Sequence, residues 1–390
     1  MRRLARVAIT VAVLAGALAT APARADHMTL FCAAGEVYGQ GAVEHRVLQN
    51  ELYIPEHENE CVDVAGSITF DAAPQADAVL DFQNRRTMFL GTTEPLKRDE
   101  WAWAVTSRNN PLVRLSTLHH LPLFIGGFAV TANTGACSSM VPGGVKLGPV
   151  SLSAIYSGVA TTWGDATIVK DNPSLALCTE RIEVSVRDGA TWSTATLKDY
   201  IAKGSPAFSP YKERELLASW PPTLGVSCRA FDDLGMRTCG LHAGAISYMP
   251  YKIAKAAGLP IALMETSSRP PQWKHPAEDP VNHSWPSNCP DAVPTGLNYP
   301  QTLGDWSTFS MTYSAAGYPI CAFGYTLAFQ TPYAANNAWS TFQTRNLKDH
   351  LRVMFSSRMQ DALPARGYAP LPDHAYSSSS GAVESIVIPT

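Results

Sequence analysis

The sequence predicts an α/β protein with largely parallel β-sheets, and three observations support that prediction. Short apolar runs rich in β-branched and aromatic residues alternate with helix-like stretches, which is typical of strand–helix–strand units. Hydrophobic residues make up 46% and charged residues 16% of the 390 residues, so the chain can bury a large core. At roughly 150 residues per domain, this length allows two domains.

The individual strands and helices are predicted from local patterns. Leu121–Ala132 and Ile182–Val186, for example, have the length and composition of buried strands. The predicted strands are residues 67–70, 86–90, 121–132, 182–186, 244–249 and 325–329. The predicted helices are residues 42–52, 75–83, 152–157, 193–202, 250–257 and 347–357. The proline-rich segment Ser267–Pro300 is predicted to be an ordered surface loop held by Cys289, and Ser377–Ser380 a flexible tail.

Residues 1–25 have the three-part pattern of a secretory signal peptide. Three arginines precede the apolar run Val7–Ala19, and Ala23–Ala25 fits the small-residue cleavage site. The apolar run is shorter than the about 20 residues of a transmembrane helix, although an N-terminal membrane anchor is the alternative. No cysteine lies near the cleavage point to receive a lipid. The sequence therefore predicts a periplasmic or secreted protein with no membrane span after signal cleavage.

The eight cysteines that follow are even in number, which indicates disulfides in an exported chain. None is spaced as C-x-x-C or as part of a Cys–His zinc motif, so redox and zinc roles are disfavoured. Nearest-neighbour pairing is expected, because each bridge would then close a local loop. The expected pairs are Cys32–Cys61, Cys137–Cys178, Cys228–Cys239 and Cys289–Cys321. The alternative is that one or two cysteines are free thiols.

Charge and missing motifs disfavour several classes of function. Lys and Arg number 30 and Asp and Glu 33, and the formal net charge of −3 disfavours a nucleic-acid binder. The sequence contains no nucleophile elbow, H-E-x-x-H motif, Walker A loop or Rossmann glycine motif, so it indicates neither an enzyme nor a cofactor. His119 and His120 are adjacent in a predicted strand and would point to opposite faces. A shared metal ion is therefore not expected there.

A series of landmarks between Tyr38 and Phe329 has the order and spacing of a known family. The landmarks are Phe89–Leu96, Leu121–Asn133, Leu152–Gly158, Thr162–Asp165, Asn172-Pro173, Ile182–Arg187, Trp220-Pro221, His242–Tyr248 and Tyr318–Ile320. They resemble segments of the periplasmic phosphate-binding proteins, the PstS-like substrate-binding components of phosphate ABC transporters. The chain resembles a divergent member of that family.

This resemblance implies a two-lobed periplasmic-binding-protein fold of type II. Such a fold has mixed β-sheets flanked by helices, hinge strands between the lobes, and an anion in the cleft. The implied division is lobe 1 at residues 26–121, lobe 2 at 122–321, and a second segment of lobe 1 with the tail at 322–390. The implied ligand is inorganic phosphate or a related oxyanion, and an ABC permease is a further possible partner. A monomer without a cofactor is expected.

The resemblance also implies where the oxyanion binds. The family's anion loop corresponds to Arg187, Thr191, Trp192, Ser193 and Thr194. A guanidinium can hold two anion oxygens, and the free N–H groups at a helix start favour negative charge. The alternative is that Ser193 or Thr194 only caps the helix while Arg187 forms a surface ion pair.

Four residues of lobe 1 complete the predicted ligand-binding set. Ser67 matches a family serine, and Glu94 lies near the family's aspartate, which accepts a hydrogen bond from protonated phosphate. Val43 and Glu44 fall on the family's first anion loop. Two departures stand out, because Trp192 replaces a glycine and the carboxylate of Glu44 would repel a dianion.

The predicted function is that of a non-enzymatic exported solute-binding protein for phosphate or a related oxyanion. The alternative is an exported adhesion or interaction protein that uses the same scaffold without high-affinity phosphate binding. An exported phosphatase is the least favoured, because the sequence shows neither a metal cluster nor an activated nucleophile.

Overall fold

The computed structural model describes residues 29–62, 64, 66–105, 117–189, 191–213, 216–296, 299–312, 314–332 and 339–388. The predicted signal peptide lies outside these residues. Within them, the strands are β1 Glu36–Gly41, β2 Ser67–Ala72, β3 Phe89–Thr92, β4 Leu118–Ala132, β5 Lys146–Leu147, β6 Glu183–Arg187, β7 Val226–Ala230, β8 Ala245–Pro250, β9 Leu263–Glu265, β10 Trp273–Lys274 and β11 Cys321–Phe329.

Helices connect and cover the strands. They are α1 Val43–Leu48, α2 Ile54–Glu60, α3 Gln75–Gln83, α4 Arg98–Val105, α5 Pro149–Tyr156, α6 Ala166–Val169, α7 Trp192–Gly204, α8 Asp233–Gly240, α9 Tyr251–Ala256, α10 Thr341–Met354, α11 Ser357–Ala362 and α12 Asp373–Glu384. A short π-helix, Gln49–Tyr53, joins α1 to α2. Alternation of strands and helices confirms the predicted α/β architecture.

The main sheet of the described residues has eight strands in the order β2-β1-β3-β11-β4-β8-β6-β7. Strand β1 is parallel to β2 and β3, and β6 is parallel to β7 and β8. The two parallel groups are joined by the antiparallel strands β4 and β11. The sheet is thus mixed and flanked by helices, as the family resemblance implies, and not largely parallel as the alternation of strands and helices alone predicts. The carboxyl ends of the two parallel groups are the edges at which open α/β sheets bind ligands.

Strand β4 is long and buried along its whole length, as its apolar sequence predicts. Its first part pairs with β11 as far as Gly127, and its second part pairs with β8 from Phe128 onward. The change of partner lies beyond residue 121, where the sequence places the lobe boundary. The division into two lobes stays a prediction.

The two neighbouring histidines of β4 are buried among polar partners. His119 Nδ1 lies 3.1 Å from Thr302 Oγ1, and the backbone N–H of Leu96 donates to His120 Nε2 at 3.4 Å. Burial lowers the pKa of His119 to about 4 and that of His120 to about 3. Both are therefore neutral core residues at pH 7.

All eight cysteines lie within the described residues and form four disulfides. The pairs are Cys32–Cys61, Cys137–Cys178, Cys228–Cys239 and Cys289–Cys321, so the nearest-neighbour prediction is confirmed and the free-thiol alternative is wrong. Cys289 ties the proline-rich segment to the first residue of β11, as predicted for that loop.

The prediction of a flexible tail at Ser377–Ser380 is wrong. These serines lie within helix α12, which packs against β4. Ser379 is fully buried, and its hydroxyl donates to the carbonyl of Pro122 at 3.0 Å. A run of small side chains lets the helix approach the strand closely, so low hydrophobicity here indicates tight packing rather than disorder.

Candidate functional site

A cavity of about 420 Å³ lies where the carboxyl ends of β1, β2 and β6 meet. One side, which we call the α7 wall, consists of Arg187, Thr191, Trp192, Ser193 and Asp233. The facing side, the α1 wall, consists of Val43, Glu44, Ala72, Ala73 and Gln75. The structure therefore brings together six predicted residues: Val43, Glu44, Arg187, Thr191, Trp192 and Ser193.

Local sequence explains the shape of the α7 wall. Arg187 is the last residue of β6, and Gly189 then takes a positive φ of 95° that turns the chain toward α7. Thr191 is the N-cap of α7, and its hydroxyl oxygen accepts a bond from the backbone N–H of Thr194 at 3.4 Å. The first N–H groups of a helix have no intrahelical acceptor, so the start of α7 at Trp192 and Ser193 provides backbone donors beside the cavity.

Thr194 does not line the cavity. It is fully buried, and its Oγ1 lies 3.0 Å from the hydroxyl of Tyr248 on β8. The same tyrosine hydroxyl accepts a bond from the backbone N–H of Arg187 at 3.0 Å. Thr194 and Tyr248 therefore position β6 and α7 relative to each other, and Thr194 acts on the site only through its neighbours.

Arg187 forms an ion pair with Asp233 of α8. Its second terminal nitrogen donates to the carbonyl of Phe231 at 3.3 Å, and its Nε is buried without an acceptor among the described residues. The side chain of Arg187 is 12% exposed and that of Asp233 is 32% exposed, so the pair is largely buried at the cavity, unlike the exposed surface pair considered as the alternative. Asp233 is a site residue that the sequence analysis missed. Its only signal was its place next to the N-cap aspartate Asp232.

Trp192 fills the space that a glycine would leave. It is 5% exposed and packs edge-on against Phe124 and Phe128, with ring centroids 5.8 and 5.0 Å apart. Its ring lies over Gly126 of β4, where any Cβ would collide with it. The indole N–H is buried and has no acceptor among the described residues. The tryptophan is therefore accommodated by a glycine on the facing strand.

Glu44 projects from the first turn of α1 into the same cavity and is half-buried. Burial raises its pKa; the charge of Asp233 adds to this rise, while Arg187 opposes it. Burial also raises the pKa of Asp233, again against the effect of Arg187. The cavity is thus lined by two carboxyl groups, one from each facing wall, and by one guanidinium.

The remaining two predicted residues lie elsewhere. Glu94 lines an adjacent cavity of about 370 Å³, which shares Trp192 and Thr93 with the first cavity. Ser67 is the first residue of β2 and is exposed, whereas the cavity is at the other end of that strand, at Ala72. Ser67 is therefore left out of the candidate site.

Among the described residues, no group of three or more His, Cys, Asp or Glu side chains is arranged to hold a metal ion. Over the same residues, no helix has both the length and the apolar character needed to cross a bilayer.

Comparisons of sequence find phosphate-binding proteins. No family profile matches the chain. The phosphate-binding protein PstS3 of Mycobacterium bovis strain BCG is 24% identical over 333 residues, which cover 82% of this chain and 79% of that protein. The phosphate-binding protein PstS of Xylella fastidiosa is 27% identical over 108 residues, which cover 28% of this chain and 29% of that protein.

Comparisons of structure find the same kind of fold. An ABC-type phosphate transport receptor from Vibrio cholerae superposes with a TM-score of 0.52 at 12% identity, covering 87% of this chain and 100% of that one. A possible phosphate-binding protein from Planctomyces limnophilus superposes with a TM-score of 0.51 at 12% identity. The match covers 91% of this chain and 99% of that one. A phosphate ABC transporter substrate-binding protein from Clostridium perfringens, solved with bound phosphate, superposes with a TM-score of 0.51 at 11% identity. The match covers 87% of this chain and 100% of that one. The chain therefore has the fold of these substrate-binding proteins.

Proposed function

We propose that this chain, a divergent PstS-like substrate-binding protein, is an exported solute-binding protein that holds phosphate or a related oxyanion between the α1 and α7 walls. One observation carries the proposal: Arg187 and the start of α7 line the same cavity. A guanidinium and free helix N–H groups are the two protein features best suited to an oxyanion. The cavity is also at the carboxyl ends of parallel strands, where this class of sheet binds ligands.

The relatives support the ligand class and the setting. The relatives at 24% and 27% identity are named phosphate-binding proteins, and the Vibrio cholerae protein is an ABC-type phosphate transport receptor. We therefore propose an ABC permease as the partner. Four disulfides favour an oxidising compartment outside the cytoplasm, in keeping with the signal peptide that the sequence predicts.

Some of the hydrogen-bond donors of Arg187 are already in use before an oxyanion binds. One terminal nitrogen pairs with Asp233 and the other donates to Phe231, while Nε is buried without an acceptor among the described residues. The anion would compete with Asp233 for the charge of the guanidinium. The backbone N–H groups of Trp192 and Ser193, at the start of α7, would hold a second oxygen.

Isothermal titration calorimetry with phosphate, sulfate and methylphosphonate tests this function. Arg187→Ala is compared with Arg229→Ala, because Arg229 pairs with Asp188 at 3.1 Å at a 56% exposed position outside the cavity. We expect at least one oxyanion to bind wild type and Arg229→Ala alike, and to bind Arg187→Ala at least about tenfold more weakly. Silence from every oxyanion, in a folded protein, would reject the proposal.

A second candidate function is favoured by the ion pair itself. Because Asp233 already neutralises the charge of Arg187, the site needs no bound anion to balance that charge. Beside that pair, Phe231 is 83% and Leu234 58% exposed, and such apolar side chains suit contact with another protein. An exported interaction protein would show no oxyanion binding in the calorimetry described above, so the same experiment separates the two functions.

A further inference from the structure

The cavity holds more negative than positive charge. Glu44 and Asp233 approach it from facing walls, and Arg187 is the cation that lines it among the described residues. Lys252 and Arg366 line an adjoining recess of about 140 Å³, where they donate to the carbonyls of Ala365 and Glu51 at 3.4 and 3.0 Å. An inorganic dianion would therefore add its charge beside two carboxyl groups and gain only one guanidinium.

The cavity is also larger than a small inorganic anion requires. Its volume of about 420 Å³ falls in the range of sites that enclose organic ligands, roughly 300–1,000 Å³. Phosphate consists of one phosphorus atom and four oxygen atoms, so it would occupy a minor part of that space. The remaining volume extends from the α7 wall to Glu44 on the α1 wall.

The surfaces between these charged groups are aromatic. Trp192 and Phe128 both line the cavity, and their rings are in contact with a centroid distance of 5.0 Å. Aromatic rings favour a nearby ammonium group, most of all where water is displaced. The aromatic lining therefore suits the ammonium end of a dipolar molecule, while Arg187 suits its anionic end.

From the charge, size and aromatic lining together, we propose that the solute is a zwitterion: a phosphonate or phosphate-monoester head that carries an ammonium group on a short carbon chain. The head binds Arg187 and the start of α7, and the ammonium binds Glu44. This inference rests on the proposed oxyanion-binding function and specifies its substrate class. It assigns to Glu44, which would hinder inorganic phosphate, a positive role in choosing the ligand.

A matched pair of probes tests the role of the ammonium. 2-Aminoethylphosphonate and propylphosphonate have the same head and nearly the same shape, but only the first has a positively charged end. Calorimetry should show the amino compound binding wild-type protein at least about tenfold more tightly. The ratio should fall to near one in Glu44→Gln. The ratio of the two affinities should persist in the control variant Glu51→Gln. Glu51 is an exposed glutamate outside the cavity, in the helix that follows α1.

The outcomes separate this inference from the function on which it rests. Equal binding of the two phosphonates to wild-type protein, or tighter binding of the propyl compound, overturns the zwitterion and leaves the oxyanion function intact. An unchanged ratio in folded Glu44→Gln overturns the role of Glu44. Binding of no phosphonate, phosphate or sulfate contradicts the oxyanion function itself. The wild-type ratio can be measured even where the Glu44 variant does not fold.

Discussion

The two walls of the cavity differ in charge and in construction. The α7 wall has the guanidinium and the helix start, and Tyr248 connects β6 to α7 through hydrogen bonds. The α1 wall has a short six-residue helix and small apolar residues, with Glu44 as its charged group within the described cavity lining. We therefore expect the α7 wall to provide affinity for an oxyanion and the α1 wall to decide which oxyanion is accepted.

The walls also differ in what supports them. The disulfide Cys228–Cys239 joins β7 to α8, the helix that presents Asp233. On the other side, α1 is supported by the buried ring of His45, whose Nε2 lies 3.1 Å from the carbonyl of Thr92. We therefore expect the α7 wall to respond to reduction and the α1 wall to acid.

The largest expected effect comes from Trp192, the residue of the α7 wall that packs against β4. Trp192→Ala should lower the free energy of unfolding by about 3–5 kcal/mol, because a large buried side chain is lost. Gly126→Ala should cost about 1–3 kcal/mol through collision with the same ring. In the double variant the second cost should largely vanish. Urea denaturation of all four proteins measures this coupling, and additive losses would contradict the packing described here.

Loss of the Cys228–Cys239 disulfide, which joins β7 to the helix that presents Asp233, should have the next largest effect. Replacing Cys228 and Cys239 together by serine should reduce the free energy of unfolding by about 3 kcal/mol, the size expected for a loop of this order. The Cys32–Cys61 pair is the control, since it lies outside the cavity lining. Its removal should destabilise the protein without changing oxyanion affinity. Denaturation and calorimetry on both double variants would show whether binding depends on the α7-wall bridge.

Acid should act on the α1 wall through His45. Burial lowers the pKa of His45 to about 4, so the folded state binds fewer protons than the unfolded state between pH 6.5 and 4. The stability that neutral His45 contributes to the folded state is fully present above pH 6.5. It is lost as the pH falls toward 4, by up to about 1.4 kcal/mol per pH unit. His45→Gln should flatten the plot of unfolding free energy against pH by up to that slope. Parallel plots for variant and wild type would show that His45 does not contribute.

The smallest effect concerns Glu44 and inorganic phosphate. Glu44→Gln removes a like charge from the cavity and should strengthen phosphate binding about fivefold, or about 1 kcal/mol. Thermal stability should change little, because Glu44 is half-buried rather than in the core. Phosphate calorimetry on wild type and variant checks this difference. Weaker phosphate binding in the variant would mean that Glu44 helps to hold inorganic phosphate and would remove the contrast between the walls.

The sequence predicts local features of the site better than contacts between distant segments. Strand β6 and helix α7 follow from apolar runs, and the positions of Arg187 and Ser193 relative to them follow from short spacing. The disulfides were predictable for the same reason, since each closes a local loop. The pairing of Arg187 with Asp233 depends on the parallel register of β6 and β7, which local patterns do not give.

Strand direction explains the misplaced Ser67. A match to a family serine identifies the strand, but the residue begins β2 while the cavity is at its carboxyl end. The fit of Trp192 over Gly126 likewise joins positions on different strands and helices, and a single sequence does not reveal it. The fold and the charges of Arg187 and Glu44 could thus be predicted from the sequence, whereas the second carboxyl group in the cavity, that of Asp233, could not.

Binding of the oxyanion at the α7 wall is tested most directly by a crystal structure grown with saturating phosphate or 2-aminoethylphosphonate. We expect a tetrahedral group within hydrogen-bond distance of Arg187 and of the backbone N–H groups of Trp192 and Ser193, in the 420 Å³ cavity. Matching calorimetry should show one site per protein. An anion bound instead in the neighbouring 370 Å³ cavity beside Asp199, or an empty α7 wall in a protein that binds phosphate in solution, would contradict binding at the α7 wall.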